Sequence, residues 1–130
     1  MIVGTGVDLA EITRIEESVS RFGDRFLRRI YTERERVYCM RKRNFAESLA
    51  ARFAAKEAGA KSLGTGIARG VTWQEIEVVH LPGGRPTIVF HGRAAERARR
   101  MGVTGVHLSI SHGRELAIAQ VVLEGDPPLS

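Results

Sequence analysis

The sequence predicts an α+β domain in which an antiparallel sheet packs against one long helix. Three observations carry this. From residue 11 to about residue 64 the apolar residues recur at three- and four-residue spacing, the period of a helix face. The second half instead holds short valine- and isoleucine-rich runs of strand length. Between two of those runs lies Pro82-Gly83-Gly84-Arg85, a turn signal that makes them an antiparallel hairpin.

Each element follows in order. Met1 to Asp8 is an apolar strand interrupted by Gly4 and Gly6, which permit another backbone to approach closely. From Glu11 the period changes: Ile12, Ile15 and Val19 share one side of a helix, with Arg14 and Arg21 off it, until Gly23 ends it. Phe26, Leu27 and Ile30 predict a short helical turn. Thr32 with Glu35 forms a capping box and opens a polar helix running to about Arg43. Asn44 is expected to cap the long helix, where Phe45, Leu49 and Phe53 repeat at four-residue intervals as a core stripe. That helix stops by Gly64, and Gly64-Thr65-Gly66 makes a turn. Trp73 to His80 and Pro86 to His91 are the hairpin strands. Gly92 to Gly102 is a basic, alanine-rich helix; Val106 to Ser111 and Leu116 to Leu123 are strands joined by a turn at His112-Gly113-Arg114. The tail from Gly125 to Ser130 carries two prolines and is expected to have little fixed structure, which leaves residues 1–124 as one domain.

At 130 residues with 43% hydrophobic composition, the chain supports one modest core. No run approaches the roughly 20 apolar residues of a membrane helix, and the N-terminus lacks a signal-peptide layout, so a cytoplasmic location and no membrane partner are expected. Cys39 is the only cysteine, which excludes an intramolecular disulfide and a thiolate metal cluster within one chain. Its neighbours Val37, Tyr38 and Met40 make it a packing residue. Ten of the 20 lysines and arginines lie between Arg14 and Arg43, against five acids, so this region forms a basic face. A net charge of +5 and a pI near 10.1 fit an anionic partner, whether nucleic acid, membrane surface or acidic protein.

The chemistry is concentrated in R-F-A-A-K-E-A-G-A-K-S-L-G-T-G, Arg52 to Gly66. Here Glu57 and Lys61 stand four apart, so a carboxylate and an ammonium share one patch of helix surface. Alone this is an ordinary surface ion-pair spacing, and Asp8 with Glu11 alone is an ordinary D-x-x-E capping box. Together they suggest more. Asp8 folded against Glu57 makes the incomplete oxygen set typical of Mg²⁺, which keeps waters and takes its remaining ligands from a substrate's phosphates. Lys56, about 100° round the helix, points away from that patch.

V-G-T-G-V-D (Val3 to Asp8) and F-A-A-K-E-A-G-A-K (Phe53 to Lys61) resemble the two signatures of the phosphopantetheinyl transferases. S-I-S-H-G-R-E-L-A-I-A-Q-V-V (Ser109 to Val122) resembles the final hairpin of their small, single-domain type, the holo-acyl carrier protein synthases, and the resemblance runs to about Glu124. Two positions depart from it. Gly59 stands where relatives usually carry something larger, at about 1 kcal/mol of helix propensity, and Gly113 stands where many have a polar residue.

The resemblance implies that residues 1–124 are a catalytic domain of a trimer with sites between subunits. It further implies transfer of 4′-phosphopantetheine from coenzyme A to a serine hydroxyl of an acyl carrier protein, with release of adenosine 3′,5′-bisphosphate, as in fatty acid biosynthesis. On that reading Asp8 and Glu57 are the Mg²⁺ ligands, and Lys61 neutralises a diphosphate oxygen as a point charge. Glu57 takes the serine proton, directly or through a metal-bound water. For coenzyme A, Arg52 is the candidate for the 3′-phosphate, and Gly64, Arg85, Pro86, Ser111 and His112 are candidate wall residues, some of them from a neighbouring chain. Acyl carrier proteins are small and acidic, so Arg14, Arg21, Arg25 and Arg28, with Phe22 and Phe26, are the docking candidates. A rival reading, a basic nucleic-acid-binding module, explains the pI but leaves Asp8, Glu57 and the glycine turns idle. Neither zinc-finger ligands nor an aromatic-rich RNA-binding signature is present, and no nucleic-acid partner is expected.

Overall fold

A computed structural model describes residues 1–128. Strand β1 (Ile2–Glu11) leads into helices α1 (Ile12–Phe22), α2 (Asp24–Ile30), α3 (Glu33–Met40) and α4 (Phe45–Ser62). A 3-10 turn at Trp73–Glu75 precedes β2 (Ile76–His80) and β3 (Pro86–Phe90); α5 (Gly92–Met101), β4 (Val103–His112) and β5 (Leu116–Gly125) complete the chain. The strands form two antiparallel sheets, a three-stranded one in the order β1-β5-β4 and the β2-β3 hairpin. The α+β class and the long helix are as expected. No helix among the described residues is long and apolar enough to cross a membrane.

Helix α4 is the centre of the core. The expected stripe is only part of its buried surface: Leu49 is fully buried while Phe45 and Phe53 are half-buried. Seven alanines, at 46, 50, 51, 54, 55, 58 and 60, are buried round nearly the whole helix, so it is packed on several sides and not on one stripe. Small side chains let the sheet come close. On β1, alternation puts Gly4, Gly6, Asp8 and Ala10 on the face toward α4. A methyl group at Gly6 would stand 2.9 Å from the Ser62 nitrogen and closer still to the Ala58 carbonyl oxygen, so strand and helix backbones touch there. From β5, Ala117, Ala119, Val121 and Leu123 complete the same face. The opposite face of the sheet leaves Val7, Leu9, Leu116 and Ile118 exposed, with Leu9 paired to Ile118 across the strands.

Several boundaries differ from expectation, each for a visible reason. β1 continues three residues beyond Asp8 because the β5 pairing carries it to Glu11. The D-x-x-E capping box therefore does not form, and the N-cap position of α1, Glu11, makes no side-chain cap. Trp73–Glu75 leaves the expected strand for a 3-10 turn with its own Thr72–Glu75 capping box. Asn44 occupies the N-cap position of α4 without a capping bond; its amide donates instead to Glu47 Oε2 at 2.8 Å. The Thr32–Glu35 capping box is present. Gly125 belongs to β5 and not to a loose tail, since its N–H donates to the Met1 carbonyl and the Asp126 N–H donates to that of Gly102, both at 2.9 Å. Leu129 and Ser130, the end of the expected tail, lie outside the described residues. Gly59 offsets its poor helix propensity through packing: a methyl group there would meet Ile76 at 2.9 Å and Ile88 at 3.3 Å, which would push the β2-β3 hairpin off α4.

Candidate active site

The glycine contact between β1 and α4 decides what lies beside Asp8. Because Gly6 sits against the Ala58–Ser62 turn, Asp8, two residues on and on the same face, arrives at the exposed flank of that helix. Lys61 reaches across and donates to Asp8 Oδ1 at 3.1 Å and to the Val7 carbonyl at 3.3 Å. Glu57 lies one helical turn earlier on the same face. It does not pair with Lys61; its Oε1 accepts from the Trp73 indole Nε1–H at 3.0 Å. The structure thus joins Asp8 to Lys61 directly, while Glu57, one turn from Lys61 along α4, is bonded to Trp73 and to neither of them. Among the described residues no cluster of three or more His, Cys, Asp or Glu side chains exists. Two carboxylates next to one ammonium suit a hard cation that draws its other ligands from water and from substrate oxygens.

Arg52 is elsewhere. It is buried, donates from Nη1 to Ser48 Oγ at 3.2 Å, and lays its guanidinium 4.3 Å from the centroid of the Tyr38 ring. Lys42 stands over the same ring at 4.5 Å. Arg52, Lys42, Tyr38, Asn44, Ser48 and His112 line a pocket of about 170 Å³, and Arg52 Nε is buried with no hydrogen-bond partner. A buried donor without an acceptor is costly, and the positive charges of Arg52 and Lys42 suit the pocket to an anion. His112 enters with its Nδ1 3.8 Å from Glu47 Oε2. His80, its ring 4.8 Å from that of Tyr38, has its pKa held below the usual histidine value by burial and by the charges of Arg52 and Lys42.

The remaining candidates are not all gathered. Ser111 does not line the Arg52 pocket; it lies on the outer face of β4 opposite Ile118. Gly84 and Arg85 are at the tip of the β2-β3 hairpin, and Pro86 pairs with His80. Gly64 borders a different cleft, with Arg69, Arg93, Arg97 and Arg100. Within one chain the expected nucleotide wall is therefore incomplete, and neither Asp8, Glu57 nor Lys61 lines the Arg52 pocket. On the basic face, Arg14, Arg21 and Phe22 line one groove of about 450 Å³. A second, of about 440 Å³, runs between Leu9, Arg14, Ile15, Phe26, Phe53 and Leu116. Its Leu9 and Phe53 lie near Asp8 and Glu57 in sequence, but none of Asp8, Glu57 and Lys61 lines it. Arg25 and Arg28 are exposed on α2 beside it and line neither groove.

Sequence reasoning missed two groups. Tyr38 and Lys42 belong to the polar helix expected to run to about Arg43, but α3 ends at Met40, and it is the turn after it that brings the Lys42 ammonium over the Tyr38 ring. Lys56 does point away from the Asp8 patch, but into the core, where it is fully buried and bonded to Glu35 Oε1 at 2.6 Å. Burial pushes its pKa down, against the opposing charge of Glu35. No local sequence signal marks a lysine as buried.

Residues 4–121 match the 4′-phosphopantetheinyl transferase superfamily. The holo-[acyl-carrier-protein] synthase of Koribacter versatilis is 56% identical over 124 residues, covering 95% of this chain and 99% of that one. Among solved structures, the synthase of Neisseria meningitidis superposes with a TM-score of 0.87 at 35% identity, covering 95% and 99% of the two chains. That of Bacillus anthracis, in complex with CoA (3′,5′-ADP), superposes with a TM-score of 0.79 at 41% identity, covering 97% and 99%. The matched span includes Asp8, Arg52, Glu57, Lys61 and His112, and the chain belongs to the 4′-phosphopantetheinyl transferase superfamily, in its holo-[acyl-carrier-protein] synthase family.

Proposed function

We propose that this chain transfers the 4′-phosphopantetheinyl group of coenzyme A to a serine hydroxyl of apo-acyl carrier protein, releasing adenosine 3′,5′-bisphosphate. The observation that carries this is the Asp8–Lys61 contact with Glu57 one turn away on α4. The reaction breaks a phosphoanhydride while negative charge builds on the leaving phosphate, so it needs positioning and charge neutralisation more than protein covalency. Mg²⁺ bound by Asp8 and Glu57 would supply most of that neutralisation. Lys61, half-exposed and already aimed at Asp8, is placed to hold a diphosphate oxygen. Glu57 is the candidate base for the serine proton.

The Arg52 pocket is assigned to the 3′-phosphate, where the side chains of Arg52, Lys42 and His112 would meet one anion. Since that pocket shares no residue with the Asp8 patch, one coenzyme A is taken to span two copies of the chain. The exposed apolar face of the sheet, Val7, Leu9, Leu116 and Ile118, is the surface on which copies meet, as a homotrimer. Ser111 on that face, Gly64 after α4, and Arg85 and Pro86 on the hairpin are then wall residues contributed across the boundary. The acidic carrier protein docks on Arg14, Arg21, Arg25 and Arg28, with Phe22 and Phe26 as apolar contacts.

Incubation with coenzyme A, Mg²⁺ and an apo-acyl carrier protein tests the reading, with intact-mass spectrometry for the added prosthetic group. Asp8→Ala and Glu57→Ala should each abolish the mass gain while leaving the fold intact. Near-normal turnover by either variant at ordinary Mg²⁺ would sink the metal assignment.

A further inference from the structure

The buried polar groups that this chemistry leaves unused lie together behind Glu57. Lys56, the residue before it, has no exposed surface, and its ammonium meets three acceptors: Glu35 Oε1 at 2.6 Å, the Ile76 carbonyl at 2.8 Å and the Trp73 carbonyl at 3.0 Å. Glu35, equally buried, accepts in addition from the Thr32 N–H and the Val78 N–H, both at 2.9 Å. The Thr32 hydroxyl donates onward to Glu77 Oε2 at 2.6 Å. A buried ion pair is a poor source of stability, because apolar residues of the same volume hold elements together at least as well. What apolar residues cannot do is hold a chosen carbonyl at a chosen point.

The carbonyl so held belongs to Trp73, whose indole N–H is the donor to Glu57 Oε1 at 3.0 Å. Two consecutive residues of α4 therefore grip Trp73 at both ends, Lys56 by its backbone and Glu57 by its ring. The ring is also stacked on Phe53, centroids 6.4 Å apart and planes 26° apart, and the Arg29 guanidinium lies 5.5 Å from its centroid. A carboxylate that is to ligate a cation has several rotamers to lose, and an outer donor on one oxygen fixes the other.

We propose that Trp73, anchored by Lys56, is a positioning residue that orients Glu57 for the divalent cation, with Oε1 held by the indole and Oε2 left to ligate. This rests on the proposed function. Trp73 is the only tryptophan in the chain, so ¹⁵N-labelled protein gives one indole N–H resonance, read on the parent protein. With coenzyme A present and no carrier protein, titrating Mg²⁺ should move that resonance, and Glu57→Gln should shift it without Mg²⁺ and remove the response. Trp73→Phe keeps the stack on Phe53 and deletes the N–H. It should raise the Mg²⁺ needed for half-maximal transfer about tenfold while leaving KM for coenzyme A at saturating Mg²⁺ within about twofold. A tryptophan that served only packing would lower Tm without moving the Mg²⁺ requirement. An indole resonance indifferent to both Mg²⁺ and Glu57→Gln overturns the proposal, as does a parental Mg²⁺ requirement in Trp73→Phe. If Asp8→Ala is inactive in that same experiment, only the positioning role has failed; if Asp8→Ala also keeps Mg²⁺-dependent transfer, the metal assignment itself has failed.

Discussion

Gly6→Ala isolates the contact on which the whole site depends. The added methyl would lie 2.9 Å from the Ser62 nitrogen and 3.0 Å from the Ala58 carbonyl carbon, both backbone atoms that cannot rotate away. Ordinary contact begins near 3.4 Å, so β1 and α4 must separate by at least about 0.5 Å, and by more at the Ala58 oxygen. Overpacking of this kind costs about 1–3 kcal/mol, and a rigid neighbour puts it in the upper half of that range. For a chain of this size each kcal/mol moves Tm by roughly 3–5 °C, so a drop of about 6–15 °C is expected. Function should suffer more. The Lys61–Asp8 bond of 3.1 Å would lengthen past hydrogen-bond range, and a misplacement near 1 Å can cost about 100-fold in rate. Thermal melting by circular dichroism, with transfer measured below the transition, reads both. Gly113→Ala is the control, since nothing lies within 4 Å of a methyl there. A Gly6→Ala variant that melts and turns over like the Gly113→Ala control would refute the close-approach argument.

Further outcomes follow from the same geometry. Lys61→Ala should lower kcat by roughly 100-fold, with Lys61→Arg recovering part of it because a planar fork is not a point charge; equal activity of Lys61→Arg and parent would contradict the role. Coenzyme A lacking its 3′-phosphate should bind the parent about 10- to 100-fold more weakly, the value of a charge-assisted bond, and Arg52→Ala should shrink that ratio. Because both cofactors are compared on one variant, loss of the Arg52–Tyr38 packing cancels, and an unchanged ratio would place the phosphate elsewhere. The depressed pKa of His80 means that, between it and the ordinary value of 6.5, the unfolded chain binds a proton that the folded chain does not. Stability should rise with pH across that window and fall on acidification, and His80→Gln should flatten the profile. Adenosine 3′,5′-bisphosphate in the pocket would offset the charges of Arg52 and Lys42, so the His80 ring resonances should titrate at higher pH in its presence; a downward shift or none would argue against an anion there.

Legibility followed the range of the interaction involved. Helix α1 was readable because Ile12, Ile15 and Val19 carry its period and Gly23 its end, all within one short window. The Thr32–Glu35 box was readable for the same reason. Where β1 stops was not: its last three residues are strand because β5, more than 100 residues away, pairs with them. Gly59 looked like a defect while only helix propensity could be weighed, and it is a fitted contact once Ile76 and Ile88 are in place. Spacing along α4 put Glu57 and Lys61 on one face, but not that Lys61 would choose Asp8 and Glu57 would choose Trp73.

Lys56 and Glu57 make the sharpest case. Side by side in sequence, one is a fully buried cation and the other a half-exposed carboxylate, because about 100° of helix rotation carries them from the β2 side of α4 to its solvent flank. Spacing puts them on different faces but does not say which face is core; the partners do: Glu35 from the capping box of α3, and the two ends of Trp73. The capping box therefore has two roles. The Glu35 that caps the start of α3 is also the counter-ion that lets a lysine sit in the core, so α3, α4 and β2 are locked in register by one carboxylate. That register sets the distance between Tyr38 on α3 and Arg52 on α4, and hence the shape of the pocket assigned to the 3′-phosphate. Disturbing Glu35 should accordingly be felt at both ends of the site, in coenzyme A affinity through Tyr38 and in the Mg²⁺ requirement through Trp73.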